Sequence, residues 1–361
     1  MTPQRIAVLD VGGTTLRSAL FRSADRTLGP VTRAATAGLG LSQQPPQPDR
    51  PQDKVIEQVV ETARQQVLAG ADAVVVAFAG PVTANGTVLA APTIVGSGWR
   101  PINLAALASA QLGVAVTVIN DLTAAAWRYH SVESRPFCLI TVSSGIGNKV
   151  LWGDQVLIDS AGYGGEIGHW RVDPSPRALP CECGGRGHLG AIASGRGGIA
   201  VARDAARRDP EAFAASCLSA SATPQSITTH DLVRAVHAGD EFAIEAVKVG
   251  VAALASAITA VFSAVGLRRF LLIGGFAQAM GPPYLMLVRQ ALADAGCFGL
   301  GRTEVAAMVD FGAADDDHSL IGAGLWALDH PTPTKAPALS TVPNLKTTRI
   351  ATDDSSDRAA Q

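Results

Sequence analysis

Residues 6–20 read IAVLDVGGTTLRSAL, and this stretch decides how the rest of the chain is understood. An apolar strand breaks at Asp10 into Gly12, Gly13, Thr14 and Thr15, and the apolar alternation resumes at Leu16. Glycine takes turn dihedrals closed to other residues and leaves no side chain between a ligand and the backbone. Such a turn suits a phosphate. A tight turn between two paired strands uses the same residues, so the stretch alone leaves both possibilities open.

A chain of 361 residues exceeds what a single core usually fills, which implies two domains or one two-lobed unit. Apolar residues make up 47% of it but aromatics only 5%, the balance of an α/β protein with closely packed helices and strands. The 29 basic and 31 acidic residues nearly cancel, which argues against an extended basic face for nucleic acid or anionic lipid. The expected partner is a small molecule, with no nucleic acid and no membrane. The start MTPQRIAVLD enters a strand without the basic and apolar segments of a signal peptide, so a cytoplasmic location is expected. Residues 249–266, VGVAALASAITAVFSAVG, are long enough to span a membrane, but the alanine, serine and threonine content predicts a buried helix. Five cysteines are an odd number, and Cys181 and Cys183 sit one residue apart, so a metal is favoured over a disulfide.

Residues 39–52, LGLSQQPPQPDRPQ, lack core formers and predict a mobile loop, after which a helix is expected to start at an Asp53 cap. Ile56, Val59, Val60, Ala63 and Val67 share one side of that helix, and DAVVVAFAG at 72–80 is a short buried strand. Helix 103–113, strand 114–120 and helix 121–130 follow, the last beginning where the strand ends. Residues 137–152, FCLITVSSGIGNKVLW, then repeat the layout of the opening stretch, which indicates an internal duplication. FLLIGGFAQAM at 270–280 supplies a third glycine turn, DHSLIGAGLWALDH at 317–330 a last helix, and 331–361 the composition of a disordered tail.

The three turns DVGGTT, SSGIG and IGGF resemble the phosphate and adenosine motifs of the sugar-kinase, actin and Hsp70 superfamily. GYGGEIGHW followed by CECGGRGHLGAIASG resembles the signature of the ROK family of bacterial sugar kinases and repressors. The resemblance spans about Ile6 to Ala327. It implies an α/β, two-lobed, actin-like (ribonuclease H-like) ATPase fold with a duplicated core and an interlobe cleft. Residues 1–120 would form a smaller lobe onto which a returning helix 318–330 packs, and 121–317 a larger lobe carrying a zinc loop. ATP, Mg²⁺ and a structural Zn²⁺ are the implied cofactors, and a homodimer the implied assembly.

By the same resemblance Asp10 lies near Mg²⁺, with Gly12, Gly13 and Thr14 beside the terminal phosphates and Ser144, Gly145, Gly274 and Gly275 on the nucleotide. One carboxylate suffices there, because Mg²⁺ keeps several of its waters. The second turn departs from the family's Gly-Thr-Gly start, having Ser143 and Ser144, and Lys149 stands where a small residue is common. Lys149 either adds a contact to ATP or points to solvent. Judged by residue type alone, Asp121 is a helix cap. The resemblance instead aligns Asp121 with the general base, and Asn120, with Gly80 and Glu166, with groups holding substrate hydroxyls. His169 goes to substrate, to zinc or to both, and joins Cys181, Cys183 and His188 in a closed tetrahedral set, His188 standing where a third cysteine is common.

Gly190 replaces a glutamate that holds hydroxyls at the anomeric end of the sugar in family kinases, and Thr93 replaces a frequent asparagine. Loss of one charged hydrogen bond weakens an ordinary hexose roughly tenfold to a hundredfold. The implied reaction is therefore phosphoryl transfer from ATP to a primary hydroxyl of glucose or of a seven-carbon cyclitol of the kind used in aminocyclitol antibiotic pathways. A sugar-responsive regulator or a non-catalytic sugar sensor is the alternative. Regulators of this family carry a helix-turn-helix ahead of the sugar domain, for which a first strand at Ile6 leaves no room. Asp10 and Asp121 together speak for catalysis.

Overall fold

The computed structural model describes residues 4–38, 51–159 and 162–331. The proline-rich loop, apart from Pro51 and Gln52, and the tail beyond Pro331 lie outside the described residues.

Strand β1 (Arg5–Val11), buried from Ile6 onward, pairs antiparallel with β2 (Thr15–Arg22), so the opening stretch is a hairpin as well as a glycine turn beside a carboxylate. Strands β3 (Thr27–Leu28) and β4 (Thr32–Ala35) pair with β2. Helix α1 (Pro51–Leu68) begins two residues before the expected Asp53 cap. Proline is tolerated in a first turn. The Gln52 side chain anchors this start, accepting from the Arg100 N–H and donating to the Arg100 carbonyl, each at 2.9 Å. Strand β5 (Ala73–Phe78) runs parallel to β1, and the small antiparallel pair β6 (Thr87–Val88) and β7 (Ile102–Asn103) encloses helix α2 (Pro92–Val95). Helix α3 (Leu104–Leu112), capped by the Asn103 side chain and closed by Gly113 at φ 71°, leads to β8 (Ala115–Asn120), parallel to β5.

The pattern then repeats. After helix α4 (Asp121–His130), strand β9 (Phe137–Val142) pairs antiparallel with β10 (Ile146–Trp152), whose edge carries β11 (Gln155–Val156). Helices α5 (Leu189–Ala193), α6 (Gly195–Arg208), α7 (Pro210–Ala215), α8 (Thr229–His237) and α9 (Glu241–Val265) precede β12 (Phe270–Ile273), which is parallel to β9. Helix α10 (Gly275–Ala295) and short α11 (Arg302–Ala306) lead to β13 (Val309–Phe311), parallel to β12, and helix α12 (His318–Asp329) ends the described chain. The sheet orders β3-β2-β1-β5-β8 and β11-β10-β9-β12-β13 are the same arrangement twice. This bears out the duplicated α/β core.

Helix α9 contains the segment that tested the membrane question. Ala243, Ala246, Val247, Gly250, Val251, Leu254 and Ile258 recur at helical spacing and face α5, α6, α8 and α10, while Val249 and Val265 remain exposed. It is a core helix buried along one face rather than all round, because its alanines let the neighbouring helices approach closely on that side only.

Helices α4 and α12 form the layer between the two sheets. Ala124 of α4 joins the core of β1, β5 and α12, whereas Ala125, Trp127 and Tyr129 join Phe137, Leu139 and Leu271 of the second sheet. Gly322 makes this possible, since a Cβ there would lie 1.7 Å from the Ala124 carbonyl oxygen. Trp127 packs edge-on to Trp326 and donates to Asp329 at 2.8 Å, locking the pair.

Candidate active site

The parallel register sets Asp10 level with Ala77 and Ile119, so the first turn and the end of β8 lie on one edge of the first sheet, where α/β proteins bind ligands. Asp121 follows at once as the first residue of α4. Asn120, and not Asp121, is the helix cap: its Oδ1 accepts from the Leu122 and Thr123 N–H groups, both at 3.1 Å. Its Nδ2 donates to the Gly80 carbonyl at 3.0 Å and to Asp121 Oδ1 at 2.9 Å. All four hydrogen-bonding places of this amide are filled, so Asn120 orients Asp121 and the strand end at Gly80 instead of offering free groups to a ligand. At Gly80 a Cβ would sit 2.1 Å from the Ala90 oxygen, which explains the residue type.

The Asp121 carboxyl is strongly perturbed. Burial, reinforced by the negative charge of Asp10, pushes its carboxyl up to about 7, against the opposing effects of the Leu122 N–H and of Lys149. A carboxyl poised near neutrality suits proton abstraction. Asp10, 6% exposed, is also pushed up by burial, partly offset by Arg17 directly across the hairpin. Arg17 donates Nε to Asp10 Oδ2 at 3.0 Å and reaches Asp316 at 3.1 Å. The remaining Asp10 oxygen and the glycine turn fit a hydrated dication. Gly13 admits nothing larger, because a Cβ would lie 2.5 Å from the Thr93 oxygen. Thr36 fastens the turn by donating to the Gly12 carbonyl at 2.7 Å, and the Thr14 carbonyl accepts from the Thr36 N–H at 3.0 Å.

The second and third turns come together on the other sheet. Ser143 accepts from the Gly195 N–H at 2.8 Å, and Gly274 adopts φ 101° with no room for a Cβ beside Thr141 and Val142. The N-terminus of α10 therefore opens at Gly275 next to Ser143, a ready anion site beside Ser144 and Gly145. Arg196 lies over this turn, donating Nε to the Ser144 carbonyl at 2.7 Å and pairing with Glu182 of the cysteine loop. Neither Arg17 nor Arg196 stood out in the sequence.

Lys149 does not point to solvent. It is 3% exposed, and its ammonium bonds to the Gly164 carbonyl, with its charge acting on Glu166 and Asp121. Glu166 itself is exposed at the start of a single 3₁₀ turn, Ile167–His169. Gly190 packs over that turn, a Cβ there lying 3.2 Å from the Gly168 oxygen.

His169, Cys181, Cys183 and His188 converge, their ligand atoms all within 4.8 Å of one another. His169 Nδ1 is 3.7 Å from Cys181 Sγ, and His188 Nδ1 is 3.2 Å from Cys183 Sγ. Ligands around a tetrahedral zinc stand roughly 3.3–3.8 Å apart given the usual bond lengths, so this set fits the ion with little movement. Gly185 is needed for it, because a Cβ would meet the His188 ring at 2.4 Å. The loop is tied to the turn that follows Glu166: Leu189 N–H donates to the Trp170 carbonyl at 2.9 Å.

Comparison with known proteins agrees with this geometry. A C(7)-cyclitol 7-kinase of Streptomyces hygroscopicus subsp. limoneus is 47% identical over 335 residues, covering 90% of this chain and 94% of its own length. A 2-epi-5-epi-valiolone 7-kinase of an Actinoplanes species is 31% identical over 341 residues, covering 90% and 92%. Among solved structures, a ROK family glucokinase from Streptomyces griseus in complex with glucose and AMPPNP superposes with a TM-score of 0.70 at 23% identity, covering 90% of this chain and 99% of that one. That likeness shows the two-lobed, actin-like fold. With the ROK family model matching residues 6–330 as well, the chain belongs to the ROK family.

Proposed function

We propose that this protein is an ATP-dependent kinase that phosphorylates the exocyclic primary hydroxyl of a C7-cyclitol. The observation that carries the chemistry is the Asp121 carboxyl, oriented by Asn120 at the start of α4 and raised to about 7. The substrate class rests on the relatives, which match over nine-tenths of the chain and act on C7-cyclitols. Gly190, at a place where a hexose kinase uses a carboxylate, supports an acceptor without an ordinary anomeric centre.

In this reading Asp121 takes the proton of the primary hydroxyl as its oxygen attacks the γ-phosphorus in line, and the bond to the bridging oxygen of the departing ADP breaks. The turns at Gly12, Gly13 and Thr14, at Ser144 and Gly145, and at Gly274 and Gly275 hold the phosphates through backbone N–H groups. Mg²⁺ beside Asp10 would neutralise phosphate charge. Zn²⁺ held by His169, Cys181, Cys183 and His188 would be structural, fixing the loop that carries Leu189 and Gly190 against the turn after Glu166. Residues 1–120 with the returning helix act as one lobe and 121–317 as the other. The protein works in the cytoplasm as a homodimer.

The test is ADP release with ATP and Mg²⁺ over glucose, mannose, their N-acetylamino forms and valiolone-type cyclitols, with Asp121→Asn as blank. A cyclitol is expected to exceed every hexose in kcat/KM. Glucose turning over as well as the best cyclitol would refute the substrate assignment, and turnover surviving in Asp121→Asn would refute the base.

A further inference from the structure

We propose that Lys149 binds the acceptor substrate, its ammonium donating to a ring hydroxyl next to the one that is phosphorylated, so that this side chain selects a vicinal polyol. The inference rests on the acceptor site lying at Asp121, and extends it to a residue that the sequence left open between ATP and solvent.

Strand geometry places the side chain. Gly147 and Leu151 flank Lys149 at alternate positions of β10; a Cβ on Gly147 would meet Leu122 of α4 at 2.6 Å, and Leu151 lies in the core with Trp127 of α4. Lys149 therefore rises on the face that packs against α4, whose first residue is Asp121. The stem passes Gly165, where a Cβ would approach its Cδ to 3.1 Å, and that glycine has φ 76°. The loop is shaped around the lysine.

A lysine on a buried face ordinarily runs its stem along apolar surface and lifts its head into water. This one keeps its head inside, at 3% exposure, and bonds to the Gly164 carbonyl. An ammonium has three donors and no acceptor. Among the described residues Gly164 takes one of them, and Lys149 enters no ion pair. The charges of Asp121 and Glu166 nevertheless act on it, favouring its ionised form against the burial that lowers it. Two donors are thus left without a hydrogen-bond partner among the described residues, within the electrostatic reach of Asp121 and Glu166.

A buried charge with unused donors is unfavourable until a partner arrives. A hydroxyl is the group that completes this arrangement, since it accepts from the ammonium and donates to a carboxylate at once. One hydroxyl held by Lys149 and its neighbour held by Asp121 make a vicinal pair.

The experiment compares wild type, Lys149→Met and Lys149→Gln on an accepted polyol and on its monodeoxy analogues, measuring KM and kcat for the acceptor and KM for ATP. Loss of one charged hydrogen bond should raise the acceptor KM of Lys149→Met about 10- to 100-fold while the ATP KM stays within about twofold. For one monodeoxy analogue, wild type should weaken to the level of the variant, and the variant should no longer distinguish that analogue from the full polyol. Lys149→Gln keeps a neutral donor for Gly164 and carries the same comparison should the methionine variant not fold. Unchanged acceptor KM in both variants, or deoxy losses as large in the variants as in wild type, would overturn the proposal. A wild-type enzyme that turned over no polyol would instead overturn the kinase reading itself.

Discussion

Replacing Asp121 by Asn should destroy turnover and at the same time stabilise the ligand-free protein above neutral pH. The carboxyl rises from 3.8 to about 7 because burial and Asp10 both oppose its charge. One pK unit is about 1.4 kcal/mol, so the ionised group costs the folded state up to roughly 4 kcal/mol. Its partial exposure to solvent reduces that to about 2–3 kcal/mol. Between these two pKa values the folded state binds more protons than the unfolded chain, so stability is fully present below about pH 4 and falls as pH rises through about 7. Asparagine cannot ionise, and its Oδ1 can accept the same bonds from the Leu122 N–H and Asn120 Nδ2, both at 2.9 Å. Thermal scans without added nucleotide or Mg²⁺ should therefore show similar melting temperatures at about pH 4 and an advantage of about 2–6 °C for the variant at pH 8. An equal gap at both pH values, or a less stable variant at pH 8, would refute the buried-charge argument.

The four-ligand cluster predicts one zinc per chain by elemental analysis, with Cys181→Ser or chelation opening the loop between Arg171 and His188 to proteolysis and raising the acceptor KM ahead of the ATP KM. Arg196→Ala should raise the ATP KM about 3- to 10-fold with the acceptor KM unchanged, since among the described residues its guanidinium bonds to the second glycine turn, at Ser144, and to Glu182; equal effects on both would remove it from the nucleotide side. His318, buried against Tyr129 and Arg128, is pushed down to about 4, so the unfolded chain binds the extra proton between pH 6.5 and 4 and stability falls as pH drops through that window. His318→Asn should flatten that dependence in denaturant titrations; a profile as steep as wild type would count against it.

The duplication was legible because its signals are local: apolar alternation, a carboxylate or serine at the strand end, then glycines. Helix α4 was legible down to its first residue, though residue type alone favoured Asp121 as the cap and only the structure shows Asn120 doing that work. Arg17 was not, since an arginine in TLRSALFR looks like any outward residue of an edge hairpin, and one of its partners, Asp316, lies 299 positions away. The burial of Lys149 was not legible for a related reason. Charge in an alternating strand ordinarily marks the wet face, and nothing local reveals that α4 covers it. Helix α10 carries Pro282 and Pro283, which by propensity end a helix; the chain continues across them through a kink at Gly281, with φ 61°. The GRGGIAVARDAARR of α6 is weakly apolar overall, yet its Val201, Ala202 and Ala206 are core.

Where the chemistry sits follows from how the two halves share one helix. The first phosphate turn and Asp10 belong to the sheet of β1, and the second and third turns to the sheet of β9. Asp121 belongs to α4, which packs on both and is clamped by α12. Asp121 therefore starts a helix held against both sheets, and it interacts electrostatically with Asp10 of the first and Lys149 of the second. Lys149 and the Glu166 loop are tied to β10, whose face packs against α4. The buried charges that weaken the protein without a ligand are thus the ones that the proposed polyol would satisfy.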